Sequence, residues 1–65
     1  MKVIVNGKSH DVSAATLEAL LAELNFEGAW LATAVNCEIV RAADRPARHL
    51  NDGDSIEVLS PMQGG

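Results

Sequence analysis

The last six residues, SPMQGG, are the part of this 65-residue chain whose residue types could take part in chemistry. Gly64 and Gly65 carry no Cβ and adopt extended or positive-φ backbone without steric cost, so they could enter a narrow channel. The five residues from Pro61 to Gly65 span at most about 17 Å when extended. Such a segment is either a frayed end without a role or a carboxylate presented to another protein's active site. The rest of the sequence has to decide between the two.

Three other side chains could act as nucleophiles, bases or metal ligands, and none has the partners that such chemistry needs. Cys37 has no adjacent histidine or arginine that would activate its thiol. His10 and His49 lack a third member for a triad or a metal site. We therefore expect an inert turn cysteine, two solvated histidines, no metal site and no catalytic residue of the chain's own.

Composition argues against a nucleic-acid partner. Nine acidic residues outnumber five basic ones, and Phe26 and Trp30 are the only aromatic residues, whereas nucleic-acid binders show basic faces and stacking aromatics. An acidic surface suits a basic protein partner through electrostatic steering. Arg41, Arg45 and Arg48 are interpreted as a solvated loop, and Trp30 as an anchor at the edge of the core.

The hydrophobic content predicts one small globular domain. With 48% hydrophobic residues the chain can build a core, although a domain of this size buries only about 60% of its unfolded surface. No apolar run reaches the roughly 18 residues that span a bilayer, and the apolar run at 1–5 breaks at Asn6-Gly7 too early for a signal peptide. A lone cysteine fits a reducing compartment. We expect a cytoplasmic protein, monomeric when free, that does not contact membranes.

Residues 1–12 predict a hairpin, and the residues after it predict a helix. Apolar residues at every second position indicate a strand with one buried face, and Asn6-Gly7 is a strong signal for a two-residue turn. A helix over roughly 16–25 is predicted from four leucines at helical spacing, with Ser13 and Thr16 as alternative N-caps. The leucines of this stripe are Leu17, Leu20, Leu21 and Leu24.

The second half of the chain predicts three more strands. Residues 31–35 and 38–40 flank a turn at Asn36-Cys37, and 55–59 alternate again. The stretch 41–50 lacks a period and predicts a loop with one short helical turn. Together these elements predict an α+β domain over residues 1–60, with a mixed four- to five-stranded sheet and one main helix on one face. Residues 61–65 are expected to form a mobile tail.

Several features taken together identify a resemblance to a known family. The element order is that of a ubiquitin-like β-grasp domain, and it comes with AVNCEIV at 34–40, LNDGDSIEV at 50–58 and the terminal Gly64-Gly65. In this order the chain resembles the ThiS sulfur carriers of thiamine biosynthesis along essentially its whole length.

The resemblance implies that the Gly65 carboxylate is the working group. An E1-like adenylyltransferase of the ThiF type would use ATP to adenylate it, and sulfur from a cysteine-desulfurase-derived donor would convert it to a thiocarboxylate. A thiazole synthase of the ThiG type would accept that sulfur. The carrier itself would bind no cofactor, and Met62, Gln63 and Gly64 would thread into the partner.

A docking face is expected on the sheet surface that does not contact the helix. If Val3, Val5, Ile56 and Val58 face the helix, Ile4 and Leu59 point to the other side. These two exposed aliphatic side chains are predicted to contact the partner, or else to be scattered surface residues of the ordinary kind.

Three other functions remain open on sequence grounds. A related carrier could supply sulfur for molybdopterin synthesis or tRNA thiolation. A ubiquitin-like modifier would be joined to target lysines through the same carboxylate. A plain binding module would use neither glycine chemically.

Overall fold

The computed structural model describes residues 1–26 and 31–59. Within them the chain forms strands β1 to β5, one α-helix (α1) and one 3₁₀ segment. Their bounds are β1 Lys2–Val5, β2 Lys8–Asp11, α1 Leu17–Glu23, β3 Ala32–Val35, β4 Glu38–Val40, the 3₁₀ segment Ala42–Ala47 and β5 Ser55–Leu59. The predicted tail at 61–65 and the expected anchor Trp30 lie outside the described residues.

The last strand lies at the centre of the sheet. The strand order is β2-β1-β5-β3-β4, with β5 parallel to β1 and antiparallel to β3. The two outer pairs, β1–β2 and β3–β4, are antiparallel hairpins. This is the mixed β-grasp sheet that the sequence predicted. Because β5 is the last strand in the chain, the residues toward the C-terminus follow the central strand of the sheet.

The core lies between one face of the sheet and helix α1. Leu17, Leu20 and Leu21 of α1 are buried, while Leu24 is only half-buried. The other core residues come from the inward face of the sheet and from the loops. They are Val3, Val5, Val12, Ala14, Val35, Val40, Leu50, Ile56 and Val58. A seven-residue helix is too short to be stable alone, so it depends on this packing.

Helix α1 begins and ends close to the predicted positions. Thr16 is the N-cap, and its Oγ1 accepts a hydrogen bond of 3.2 Å from the backbone N–H of Ala19. Ser13 is not a cap, because the helix begins after Thr16, and the Ser13 hydroxyl and N–H both donate to the Glu23 carboxylate at the other end of the helix. The helix ends before Asn25, whose φ of 65° is incompatible with helix continuation.

Both hairpin turns use positive backbone angles at their two central residues. Asn6 and Gly7 have φ of 51° and 84°, and Asn36 and Cys37 have φ of 51° and 70°. Two successive residues with positive φ form the turn that matches the twist of a hairpin. The turns predicted at these two sites are therefore confirmed.

The loop at 41–50 corrects one prediction. It contains a 3₁₀ segment, which agrees with the short helical turn predicted there, but Arg45 in that segment is buried rather than solvated. The guanidinium of Arg45 donates from Nε to Oγ1 of Thr33 and from Nη2 to the carbonyl of Leu31. Sequence composition suggested a solvated cluster because arginines are rarely buried without partners. Here Thr33 of β3 and Leu31, just before that strand, supply the partners. Arg41 is exposed and Arg48 is half-buried.

None of the helical segments in the two described stretches has the length and apolar character needed to cross a membrane.

Candidate functional site

Strand β5 carries the chain to the residues whose chemistry the sequence singled out. Its five residues alternate between exposed and buried, with Ile56 and Val58 inward and Leu59 outward. Leu59 is the last described residue, so the assigned roles of Gly65, Gly64, Gln63 and Met62 lie outside the described part. What the structure describes is the surface and the strand end from which that segment leaves.

The sheet face opposite α1 bears exposed aliphatic side chains. Val3, Val5, Ile56 and Val58 are all buried, whereas Ile4 is 39% and Leu59 is 64% exposed. The inward and outward orientations derived from strand alternation are therefore confirmed.

Ile4 and Leu59 occupy distant parts of that face. The β1–β5 register places Ile4 opposite Ser55, four residues before Leu59, which corresponds to about 13 Å along the strand. On the other side of β5, Leu59 pairs with Ala32 of β3. A partner that contacts the end of β5 would therefore meet β3 and β4 before it met Ile4.

A groove on this part of the face contains an exposed residue that the sequence analysis did not select. Ile39 of β4 is 85% exposed, the largest exposure among the large hydrophobic residues of the described part. It lies opposite Ala34 in the β3–β4 register. The groove has a volume of about 380 Å³ and is lined by Ala32, Thr33, Ala34, Cys37, Ile39, Glu57 and Leu59. Strand alternation from the Asn36-Cys37 turn could have placed Ile39 outward, but its exposure depends on β4 being the edge strand.

The end of β5 is tied to the first hairpin through a single side chain. The Asn6 Nδ2 donates to the Val58 carbonyl at 3.1 Å, and the Val58 N–H donates to Asn6 Oδ1 at 2.9 Å. The N–H and the carbonyl of Val58, the residue before Leu59, are therefore both hydrogen-bonded on the side that faces β1. Sequence reasoning used Asn6 only as a turn residue and missed this contact.

A second asparagine ties the beginning of β5 to the other hairpin. The Asn36 Nδ2 donates to Asp54 Oδ1 at 3.0 Å, and its Oδ1 accepts from the Ser55 N–H at 3.0 Å. Asp54 is buried and also accepts from the Asn51 N–H. The two hairpin asparagines therefore hold opposite ends of the central strand.

The remaining candidates are not brought together into a site. Cys37 is exposed at its turn, His49 is exposed, and His10 is half-buried opposite Val3. Across residues 1–26 and 31–59 no three His, Cys, Asp or Glu side chains are grouped to hold a metal ion. The fold instead assembles two features: the groove on the sheet face opposite α1, hereafter the outer-face groove, and the end of β5 that is hydrogen-bonded to Asn6.

Known proteins resemble the chain over its whole length. The ThiS family model matches residues 3–65. A sulfur carrier protein ThiS from Thermus thermophilus is 36% identical over 63 residues, which cover 97% of this chain and 98% of that protein. The crystal structure of a thiamine biosynthesis protein (ThiS) from Geobacter metallireducens superposes with a TM-score of 0.82 at 32% identity, with 100% of both chains covered.

A larger protein also contains a segment similar to this chain. A thiazole synthase from Paramagnetospirillum magneticum is 38% identical over 66 residues, which cover 100% of this chain and 20% of the synthase. The chain therefore spans about 20% of the length of that relative. Since the family model and the Thermus carrier both align with nearly the whole length of the chain, this chain belongs to the ThiS family.

Proposed function

We propose that the chain is a sulfur carrier of thiamine biosynthesis, which presents sulfur on its C-terminal residue Gly65. The observation that carries this proposal is the match to the Thermus sulfur carrier over 97% of this chain and 98% of that protein. The fold supports it, because the central strand of the sheet leads directly toward the Gly64-Gly65 end.

The chemistry at Gly65 requires a partner's active site. A carboxylate resists nucleophiles, so the partner, an E1-like adenylyltransferase of the ThiF type, first attaches AMP. A carboxylate oxygen attacks the α-phosphorus of ATP, pyrophosphate leaves, and Gly65 becomes a mixed anhydride with a good leaving group. The carrier binds no cofactor in this scheme, since the ATP belongs to the partner.

Sulfur then replaces AMP on the acyl carbon. The terminal sulfur of a persulfide, charged by a cysteine desulfurase, attacks that carbon and AMP departs. A thiol then attacks the donor's sulfur in the resulting acyl disulfide, forms a new disulfide with the donor and releases the thiocarboxylate on Gly65. No step in this scheme needs a side chain of the carrier.

The sulfur acceptor is proposed to be a thiazole synthase of the ThiG type. In the Paramagnetospirillum protein, a segment similar to this chain is part of the same polypeptide as the rest of a thiazole synthase. A carrier and its acceptor joined in one chain meet at high effective concentration. That arrangement supports the thiazole acceptor over molybdopterin synthesis, tRNA thiolation or attachment to lysines.

The partner surface is proposed to be the outer-face groove together with the tail. Ile39 and Leu59 flank the groove and expose apolar area next to the strand that leads to residue 60. The tail at 61–65 reaches up to about 17 Å beyond the domain when extended. The domain can therefore dock outside an active site while Gly65 enters it.

Intact-mass measurement tests the function directly. The protein is incubated with its adenylyltransferase, ATP and a persulfide donor, and we expect the mass to rise by the difference between one sulfur and one oxygen atom. A matched control adds one alanine after Gly65, which moves the carboxylate and should abolish the change. A folded wild-type protein whose mass stays the same would contradict the proposal, and isopeptide adducts on lysines would favour a modifier.

A further inference from the structure

The Asn6 side chain continues the hydrogen-bond ladder between β1 and β5 after the backbone of β1 has turned away. Along the β1 side of β5, the Asp54 carbonyl accepts from the Ile4 N–H and the Ile56 carbonyl accepts from the Asn6 N–H, both at 2.9 Å. The next carbonyl on this side is that of Val58, and it accepts from Asn6 Nδ2 at 3.1 Å. Asn6 Oδ1 also accepts the Val58 N–H. One side-chain amide thus replaces a backbone peptide that the hairpin turn has removed from the ladder.

Without this amide the end of β5 would be paired on one edge only. The chain reverses at Asn6 and Gly7, which both have positive φ, so β1 offers no further backbone to β5. On the other edge, β3 pairs with Val58 through Thr33 and with Leu59 through Ala32. Strand ends that are paired on one edge open more readily than strands held on both.

Asn36 provides an internal comparison for Asn6. Both residues are the first of a two-residue turn, both have φ of 51°, and both form two side-chain hydrogen bonds to β5 or its preceding residue. Asn36, however, contacts Asp54 and Ser55 at the start of the strand. Only Asn6 lies at the end from which the C-terminal segment leaves.

We propose that Asn6 is a positioning residue for the reaction at Gly65, because it holds the end of β5 and so directs residues 60–65 toward the adenylyltransferase. This inference rests on the proposed carrier function. Most of the groove lies on β3 and β4, and β3 still pairs with Val58 and Leu59 on the other edge of β5 when the amide is lost, so we expect the domain still to bind. The fraction of bound complexes with Gly65 correctly placed then falls, and misplacement by about 1 Å can slow a reaction by as much as a hundredfold.

The test compares Asn6→Gly with Asn36→Gly. Glycine adopts a φ of 51° without strain, so each variant loses its side-chain hydrogen bonds while the turn is retained. Two quantities are measured at a temperature where both variants are folded: the amide hydrogen exchange of Val58, and the steady-state kcat and KM for adenylation by the partner enzyme. Asn6→Asp is a second variant, which retains the acceptor for the Val58 N–H and lacks the donor for its carbonyl.

We expect Asn6→Gly to increase Val58 exchange and to lower kcat about tenfold, with KM changed by less than about twofold. Asn36→Gly should leave kcat and Val58 exchange at the wild-type values, and Asn6→Asp should fall between the wild type and Asn6→Gly. Equal kcat losses in the two glycine variants would show a general stability effect and overturn the inference. Wild-type kcat in Asn6→Gly would overturn it as well. A wild-type protein that is not adenylated at all would instead contradict the proposed function.

Discussion

The guanidinium Nε of Arg45 lies 3.1 Å from Oγ1 of Thr33, and that hydroxyl donates onward to the carbonyl of Val40 at 2.7 Å. Arg45 also donates to the Leu31 carbonyl. One buried cation thereby connects the 3₁₀ segment to the β3–β4 hairpin, which carries the exposed Ile39. Thr33 also lines the proposed docking groove, so buried Arg45 is hydrogen-bonded to a residue of that groove.

Replacing Arg45 by methionine should destabilise the domain. Methionine retains an apolar stem but removes the donors to Thr33 and Leu31, and hydrogen bonds from a charged group contribute about 1.5–3 kcal/mol each. We expect a loss of roughly 2–4 kcal/mol, measured as a lower urea midpoint. The control is Arg41→Met at the exposed residue just before this segment, which should change stability by less than about 0.5 kcal/mol. Equal midpoints for the two variants would show that the buried network contributes nothing.

Changing Ile39 and Leu59 to serine should weaken binding to the adenylyltransferase without unfolding the domain. Both side chains are largely exposed in the free protein, so a partner that docks on this face would bury their apolar area. Loss of that area should raise Kd roughly ten- to fiftyfold per substitution. Ala22→Ser, on the exposed side of α1, is the matched control and should bind like the wild type.

Alkylation of Cys37 tests the same groove without any substitution. Cys37 is the only cysteine of the chain and lines the groove while exposed to solvent. A bound adenylyltransferase should therefore slow its reaction with a maleimide, as followed by intact mass. Unchanged alkylation under saturating partner would place the docking surface elsewhere.

Gly64→Val should block the reaction at Gly65 while the fold stays intact. Valine adds a branched side chain five residues after Leu59, where the chain is proposed to pass through a narrow channel, and it restricts the backbone. We expect kcat/KM for adenylation to fall at least about a hundredfold, with an unchanged urea midpoint. Gln63→Ala, which removes side-chain bulk next to it, should react within a few fold of the wild type. Adenylation of the valine variant at the wild-type rate would argue against threading.

Gly53 is required for its backbone conformation rather than for space. It has φ of 89°, a Cβ added there would meet no atom within 4 Å, and its N–H donates to the Lys2 carbonyl at 2.7 Å. Gly53→Ala should therefore cost about 1–2 kcal/mol through conformational strain alone. The 65-residue chain is short enough for chemical synthesis, and D-alanine at this position should stabilise it by up to about 1 kcal/mol. Similar losses with both enantiomers would indicate a steric cause.

Local sequence patterns predicted most of the fold. The turns at Asn6-Gly7 and Asn36-Cys37 and the cap at Thr16 follow from short-range chemistry, and the structure has each of them where expected. Leu24 and the end of the helix differ slightly, because helix ends depend on tertiary packing as well as on propensity.

Long-range contacts could not be derived from the sequence in the same way. Arg45 depends on Thr33 twelve residues earlier, and Asn6 depends on Val58 fifty-two residues later. Neither hydrogen bond can be predicted from neighbouring residues, because the sequence around a polar residue in a loop or turn is the same whether its side chain is solvated or bonded to a distant strand. Ile39 likewise became a candidate only when β4 was found at the edge of the sheet.

A heavy sulfur isotope that is followed from Gly65 into the thiazole tests the proposed sulfur transfer directly. The protein is loaded at Gly65 with labelled sulfur, purified from the donor, and mixed with its thiazole synthase and the other substrates in excess unlabelled sulfide. We expect the thiazole product to carry the heavy isotope, in an amount that does not exceed the thiocarboxylate supplied. A thiazole with unlabelled sulfur, formed while the thiocarboxylate on Gly65 remains intact, would contradict it.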